Sequence, residues 1–222
     1  MHIPSSSYPS AAFLTSSATP ALQISSLRFA HPATPNSGLI NDLSATVLPG
    51  VTLVTGGDGR GKTTLLRLLA GELLPGAGQL HLHHTAADNA PALVFWADPR
   101  ATTHDALLVA DYFEAQRRRF AGFSEALLAS LIAGFGLDAH LHKQLFMLST
   151  GSRRKVFLAA ALASGAALTL IDEPFVALDA PSIRCVSQAL RNAAADPARL
   201  CVMADYAAPA DVPLSGVIDL GD

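Results

Sequence analysis

Gly56, Gly61, Lys62 and Thr63 sit in the spacing G-x-x-x-x-G-K-[ST], within the stretch "VTGGDGRGKTTLLRLLAGE". That pattern cradles phosphate. Successive backbone N–H groups turn into one concavity, and the helix that follows presents its positive end there. Gly56, Gly57, Gly59 and Gly61 supply the unusual backbone angles, with Asp58 and Arg60 between them. Lys62 is the candidate for pairing β- and γ-phosphates, and the hydroxyl of Thr63, next to Thr64, for ligating Mg²⁺. The plain alternative is a glycine linker ahead of an ordinary helix. A nucleotide-hydrolysing site also needs acids, and "ALTLIDEP" provides Asp172 and Glu173, 110 positions after Lys62. Asp172 suits Mg²⁺ and Glu173 suits a general base on water. The alternative there is a strand running into a solvated acidic turn.

The elements around these residues read as alternating strands and helices. "VTLVT" is a short β-branched run of the kind that forms a buried parallel strand, and it feeds the glycine loop directly. A helix with leucines at 65, 66, 68 and 69 follows. "ALQISSLRFA", "LINDLSATVLPG", "QLHLHH", "ALVFWA", "ALTLID", "RLCVMA" and "SGVIDL" read as further strands. From Thr102 to about Leu148 the pattern is helical, with "HDALLVADYFEAQRRRF" and "SEALLASLIAGFGL" both amphipathic. "SRRKVFLAAALAS" and "PSIRCVSQALRNAA" are helices too. The fold class is therefore α/β with a mainly parallel sheet. The first 20 residues, rich in Ser, Ala and Pro and without Lys or Arg, read as a disordered tail.

Composition narrows the function class. Half of the 222 residues are hydrophobic and 15% are charged, enough for a sizeable core. A net charge of −3 carries no general nucleic-acid footprint, so no nucleic-acid partner is expected. Cys185 and Cys201 read as reduced core thiols in a cytosolic protein. No apolar run reaches the roughly 20 residues of a membrane span. "VFLAAALASGAALTLI" is broken by Ser164-Gly165 and reads as helix, turn and strand. His81, His83 and His84 suggest a surface hairpin before a metal cluster, and Arg117–Arg119 a solvated helix face before a docking patch.

"LSTGSRRKVFLAAAL" completes a third constellation. With it the sequence resembles the ATP-binding cassette (ABC) ATPases over roughly Ala21–Asp222. Leu148, Ser149 and Gly151 match the LSGGQ signature, with Thr150 for its first glycine and Ser152 for its glutamine. Ser149 lies 23 positions before Asp172, and Ala177, Leu178 and Asp179 resemble the D-loop. A serine N-cap alone would explain "LST" equally simply. The resemblance implies a P-loop core, an antiparallel β subdomain and a helical subdomain at about 102–155. It implies ATP and Mg²⁺ as cofactors. It also implies a head-to-tail dimer, homo- or heteromeric, in which Ser149, Thr150 and Gly151 face ATP held by the other subunit. The implied setting is the inner face of a membrane, through a separate transmembrane permease subunit.

Three positions depart from the family pattern. The adenine-stacking aromatic falls at His31, with Phe29 its neighbour. Trp96, Ala97 and Asp98 stand where the Q-loop glutamine is expected. Asp205 stands at the switch-histidine position, where an ionised carboxylate repels γ-phosphate. Transport-coupled hydrolysis is the expected activity, possessed by a single cassette similar to the haem exporter of cytochrome c maturation, with no residue fixing the cargo. The rivals are a hydrolysis-poor ATP-binding partner and a soluble DNA- or ribosome-directed relative. The compact single cassette disfavours the last.

Overall fold

The computed structural model describes residues 21–31, 38–83, 94–98 and 100–222. The expected tail, His84 and most of the loop after His31 lie outside them. Two sheets organise the chain. The first is antiparallel, in the order β2 (Gly38–Val47), β1 (Ala21–Ala30), β4 (Ala77–His83). The second is parallel and five-stranded: β5 (Val94–Phe95), β6 (Leu168–Asp172), β7 (Leu200–Ala204), β3 (Gly50–Thr55), β8 (Gly216–Asp219). The mainly parallel α/β class and the antiparallel subdomain are both present.

The central strands β3, β6 and β7 are largely apolar on both faces, as a sheet covered on two sides requires. Alternate residues sort the core into two clusters. Leu168, Leu170, Leu200, Val202 and Val54 face one way and meet Leu65, Leu66, Leu68 and Leu69 of α1 (Lys62–Leu69), together with Leu22 and Ile24 of the antiparallel sheet. Ile171, Cys201, Met203, Val51 and Leu53 face the other way. There they meet α4 (Thr150–Ala163), α5 (Ala180–Ala194) and the helical segment. Each fully buried leucine contributes about 1.5–3 kcal/mol, so the four on α1 fix that helix firmly beneath the sheet.

The helical segment comprises α2 (Val109–Arg119), α3 (Glu125–Phe135) and two short 3₁₀ turns. Here the sequence expectation needs correction, because α2 starts at Val109 and not near His104. Leu108 is extended and forms an isolated antiparallel bridge with Gln144, which takes the preceding residues out of the helix. The arginine run is largely neutralised locally. Arg117 pairs with Glu114 and Glu125, and Arg118 with Glu114. Arg119 lies over the Phe120 ring. Cys185 and Cys201 are both unpaired thiols. Among the described residues no helix is long and apolar enough to cross a membrane.

Three parallel strands end side by side and define where chemistry can happen. β3 runs out at Thr55, β6 at Asp172 and β7 at Ala204, and the crevice beyond such strand ends is where open α/β sheets bind ligands.

Candidate functional site

The loop from Gly56 to Gly61 climbs out of β3 and drops into α1. Gly61, at φ +97°, takes a left-handed turn that an L side chain resists, and a Cβ there would stand 3.0 Å from Leu39. The helix that follows has no side-chain cap and no acid in its first turn. Its first backbone bond runs from Leu65 N to Gly61 O, which leaves the N–H groups of Lys62, Thr63 and Thr64 aimed past the helix end. By contrast, Ser124, Ser149 and Asp179 cap α3, α4 and α5 with their side chains. An open helix start beside a glycine loop is an anion site.

Lys62 is buried, at 8% exposure, and its Nζ donates to the carbonyls of Gly56 (2.6 Å) and Gly57 (3.0 Å). The ammonium is thus held inside the loop. Beside it the Thr63 hydroxyl donates to Asp172 Oδ2 at 2.7 Å, across the gap between α1 and the end of β6. Burial pushes the Asp172 carboxyl above its ordinary value and the Glu173 charge adds to this, while the Thr63 bond opposes both. Two adjacent oxygens, one of them an anion short of compensation, form a donor set that suits a hard divalent cation such as Mg²⁺. The residues therefore fit the metal and the phosphates together.

Glu173 follows in a left-handed conformation (φ +48°), which costs an L residue about 1–2 kcal/mol. Its N–H donates to Ala204 O at 2.8 Å, and its carboxylate lies 3.6 Å from Arg154. Arg154 also donates to the carbonyls of Asp172 and Glu173, at 3.0 Å each. One arginine of α4 thereby clamps the acidic turn. Arg154 lies three positions beyond Gly151, and the run "RRK" was the available sign of it.

The open cleft above the loop holds about 830 Å³ of empty space. Its lining unites His31, Asp58, Gly59, Arg60, Gly61, Lys62, Thr63, Thr64, Asp172 and Glu173, all singled out from the sequence. His31 reaches it, packed edge-on to Phe29 at 5.4 Å, whereas Phe29 itself belongs to the core. Three further members were not singled out in the sequence: Leu39, Arg100 and Tyr206. Asp98 instead accepts the Arg100 N–H at 2.8 Å and ends its reach in its own turn. Asp205 accepts the Tyr206 N–H at 2.7 Å, and burial raises its carboxyl above the ordinary value.

Ser149, Thr150 and Gly151 are absent from this lining. Ser149 Oγ accepts from Ser152 N at 3.1 Å, and a Cβ on Gly151 would stand 3.0 Å from the Ala177 carbonyl. The signature turn therefore packs on the segment after Glu173 and presents an exposed helix start of its own. His81 bonds to Gln79 and stacks loosely with His83. Among the described residues no cluster of three or more metal-ligating side chains forms.

Comparison with known proteins gives a consistent picture. A family model described as "ABC transporter" matches residues 40–176. A taurine import ATP-binding protein of Pseudomonas fluorescens is 34% identical over 175 residues, covering 72% of this chain and 61% of that protein. A cytochrome c biogenesis ATP-binding export protein of a Ruegeria species is 39% identical over 139 residues, covering 63% of each. The matched stretch thus spans somewhat less than two thirds of either relative. Among solved structures, a putative ABC transporter ATP-binding protein from Pyrococcus furiosus superimposes with a TM-score of 0.68. It is 22% identical and covers 90% of this chain and 97% of that one. A dimeric bacterial ABC transporter cassette gives 0.66 at 15% identity, covering 84% and 88%. At those identities the likeness speaks for the fold.

Proposed function

The chain belongs to the ABC transporter family, and from that membership we propose that it is an ATP-binding and ATP-hydrolysing subunit that drives a separate membrane-spanning subunit. The observation that carries this reading is the joining of two remote segments at one point. Thr63, at the open start of α1, is hydrogen-bonded to Asp172 at the end of β6, with Lys62 buried beside it. Thr63 and Asp172 would hold Mg²⁺, directly or through water, and the Gly56–Thr64 segment with Lys62 would hold the ATP phosphates. His31 would face the adenine. Bound Mg²⁺ supplies positive charge against the β- and γ-phosphate oxygens.

In this reading the chain's own groups divide the work. Glu173 accepts the proton of the attacking water, and Arg154 keeps the acidic turn aimed while screening its charge. The hydrolytic site is shared between two chains, because Ser149, Thr150 and Gly151 lie outside the cleft their own loop builds. A dimer of cassettes, identical or not, would bring the signature of one to the phosphates of the other. The domain division follows the same lines, with the cassette over 21–222 and its helical subdomain at about 102–155.

The test is MgATP turnover by the purified chain. Glu173→Gln is expected to keep MgATP binding and to lower turnover by about 100-fold or more, the worth of a general base. Undetectable nucleotide binding by the unaltered chain would sink the proposal. Asp205 favours a second reading, a hydrolysis-poor partner of another cassette, since its carboxylate offers no donor at the end of β7. That reading gains if MgATP dimerises the chain with no phosphate released.

A further inference from the structure

Tyr206 occupies the cleft without belonging to the core. The residue is 53% exposed, so burial does not explain where the ring stands. Two backbone contacts fix its root: the carbonyl accepts from Thr55 Oγ1 at 3.3 Å, and the N–H donates to Asp205. Two side-chain contacts fix its ring over the phosphate loop. The Lys62 ammonium lies 4.0 Å from the ring centroid, and the phenolic hydroxyl donates to Asp58 Oδ1. An exposed tyrosine thus bridges the lysine and the carboxylate of one anion-binding loop.

The charges around it say what such a bridge is suited to. Asp58, Asp172 and Glu173 all line the cleft, against Lys62, Arg60 and Arg100. A triphosphate entering there meets three carboxylates, and a neutral donor near the lysine is worth more than another anion. The Asp58 bond and the nearby acids push the Tyr206 hydroxyl up to about 12, so it stays a donor at neutral pH. Asp58 is itself exposed, so water can take over its carboxylate when the hydroxyl leaves. The exchange of one acceptor for another is therefore cheap.

We propose that Tyr206 is a further phosphate ligand: its hydroxyl moves its hydrogen bond from the Asp58 carboxylate to an oxygen of the terminal phosphate, and so favours triphosphate over diphosphate. The inference rests on the ATP-binding reading above. An oxygen paired with the Lys62 ammonium comes within one phenol's length of that hydroxyl, because ring and ammonium are already in contact. ADP brings only β-phosphate oxygens to Lys62, and in this proposal those leave the Asp58 bond in place.

The experiment is equilibrium binding of Mg-ADP and of a non-hydrolysable imido-ATP analogue to the full chain, unaltered and as Tyr206→Phe. The variant removes only the hydroxyl from an exposed position. The expected result is about tenfold weaker binding of the analogue, the worth of one hydrogen bond to a charged group, with ADP affinity unchanged. Unchanged affinity for both ligands overturns the proposal. Tighter binding of both also overturns it and makes Tyr206 a lid held shut by Asp58. Equal weakening of both overturns the assignment to the terminal phosphate. Failure of the unaltered chain to bind either ligand overturns the ATPase reading itself, and this inference with it.

Discussion

Two helices of this chain begin beside a small-residue turn, and they are prepared in opposite ways. α1 starts at Gly61 with no side-chain cap, and its neighbouring cation is folded into the loop. α4 starts at Ser149, whose hydroxyl satisfies Ser152 N, and its turn leans on the Ala177 carbonyl. The first has unspent N–H groups facing a cleft of its own chain. The second is locally satisfied and exposed, and its turn is not part of that cleft's lining. An uncapped start leaves its N–H groups to water or to a ligand, whereas a capped one is already satisfied by its own side chain. In the function proposed above, the cradle is the site a chain builds for itself and the signature turn the one it offers to a second chain.

This contrast can be broken experimentally, most strongly at the cradle. Lys62→Ala removes the charge that the loop carbonyls hold, and MgATP affinity measured by calorimetry is expected to fall roughly 100-fold. Undiminished affinity would place the nucleotide elsewhere. Gly151→Val acts on the other helix by driving a side chain against Ala177 O. Turnover is expected to fall about tenfold or more, with ADP binding to the isolated chain unchanged. Parallel loss of both would mean that the two helix starts serve one intramolecular site after all.

The smallest expected effect concerns acid. His104 lies on the signature side, 5.3 Å from the Tyr112 ring. Burial, then the charges of Arg119 and Arg153, lowers its pKa below 6.5, with Asp105 opposing. Below pH 6.5 the unfolded chain therefore binds a proton that the folded imidazole refuses. Stability is fully present above that value and declines as pH falls toward the lowered folded pKa. His104→Gln should flatten the fall of the melting temperature between neutral pH and about pH 5.5. An unaltered slope would assign the acid sensitivity to other groups.

Much of this was legible in the residues. The P-loop, the acids closing β6, the alternation of strands and helices along the chain and the capped signature are local patterns, written in spacing and periodicity. The correction at α2 shows where local patterns fail. "HDALLV" has helical character, yet Leu108 pairs with Gln144 across 36 positions and the helix waits until Val109. His31, the expected adenine-facing residue, lies just past the end of β1 and lines the cleft, whereas its neighbour Phe29 is still inside the strand and goes into the core. Arg100 was invisible because its place depends on the turn that Asp98 closes behind it.

The sequence by itself determined that Gly56–Thr64 has the pattern of a phosphate cradle and that two acids, Asp172 and Glu173, close an apolar strand. Glycine placement, an open helix start and acids after an apolar strand are short-range features, readable one segment at a time. Only the tertiary structure decided that Tyr206 stands on Lys62, that Arg154 clamps the acidic turn and that the signature turn stays out of its own chain's cleft lining. Those contacts join residues far apart in the chain, and their geometry comes from the order in which the parallel strands lie side by side.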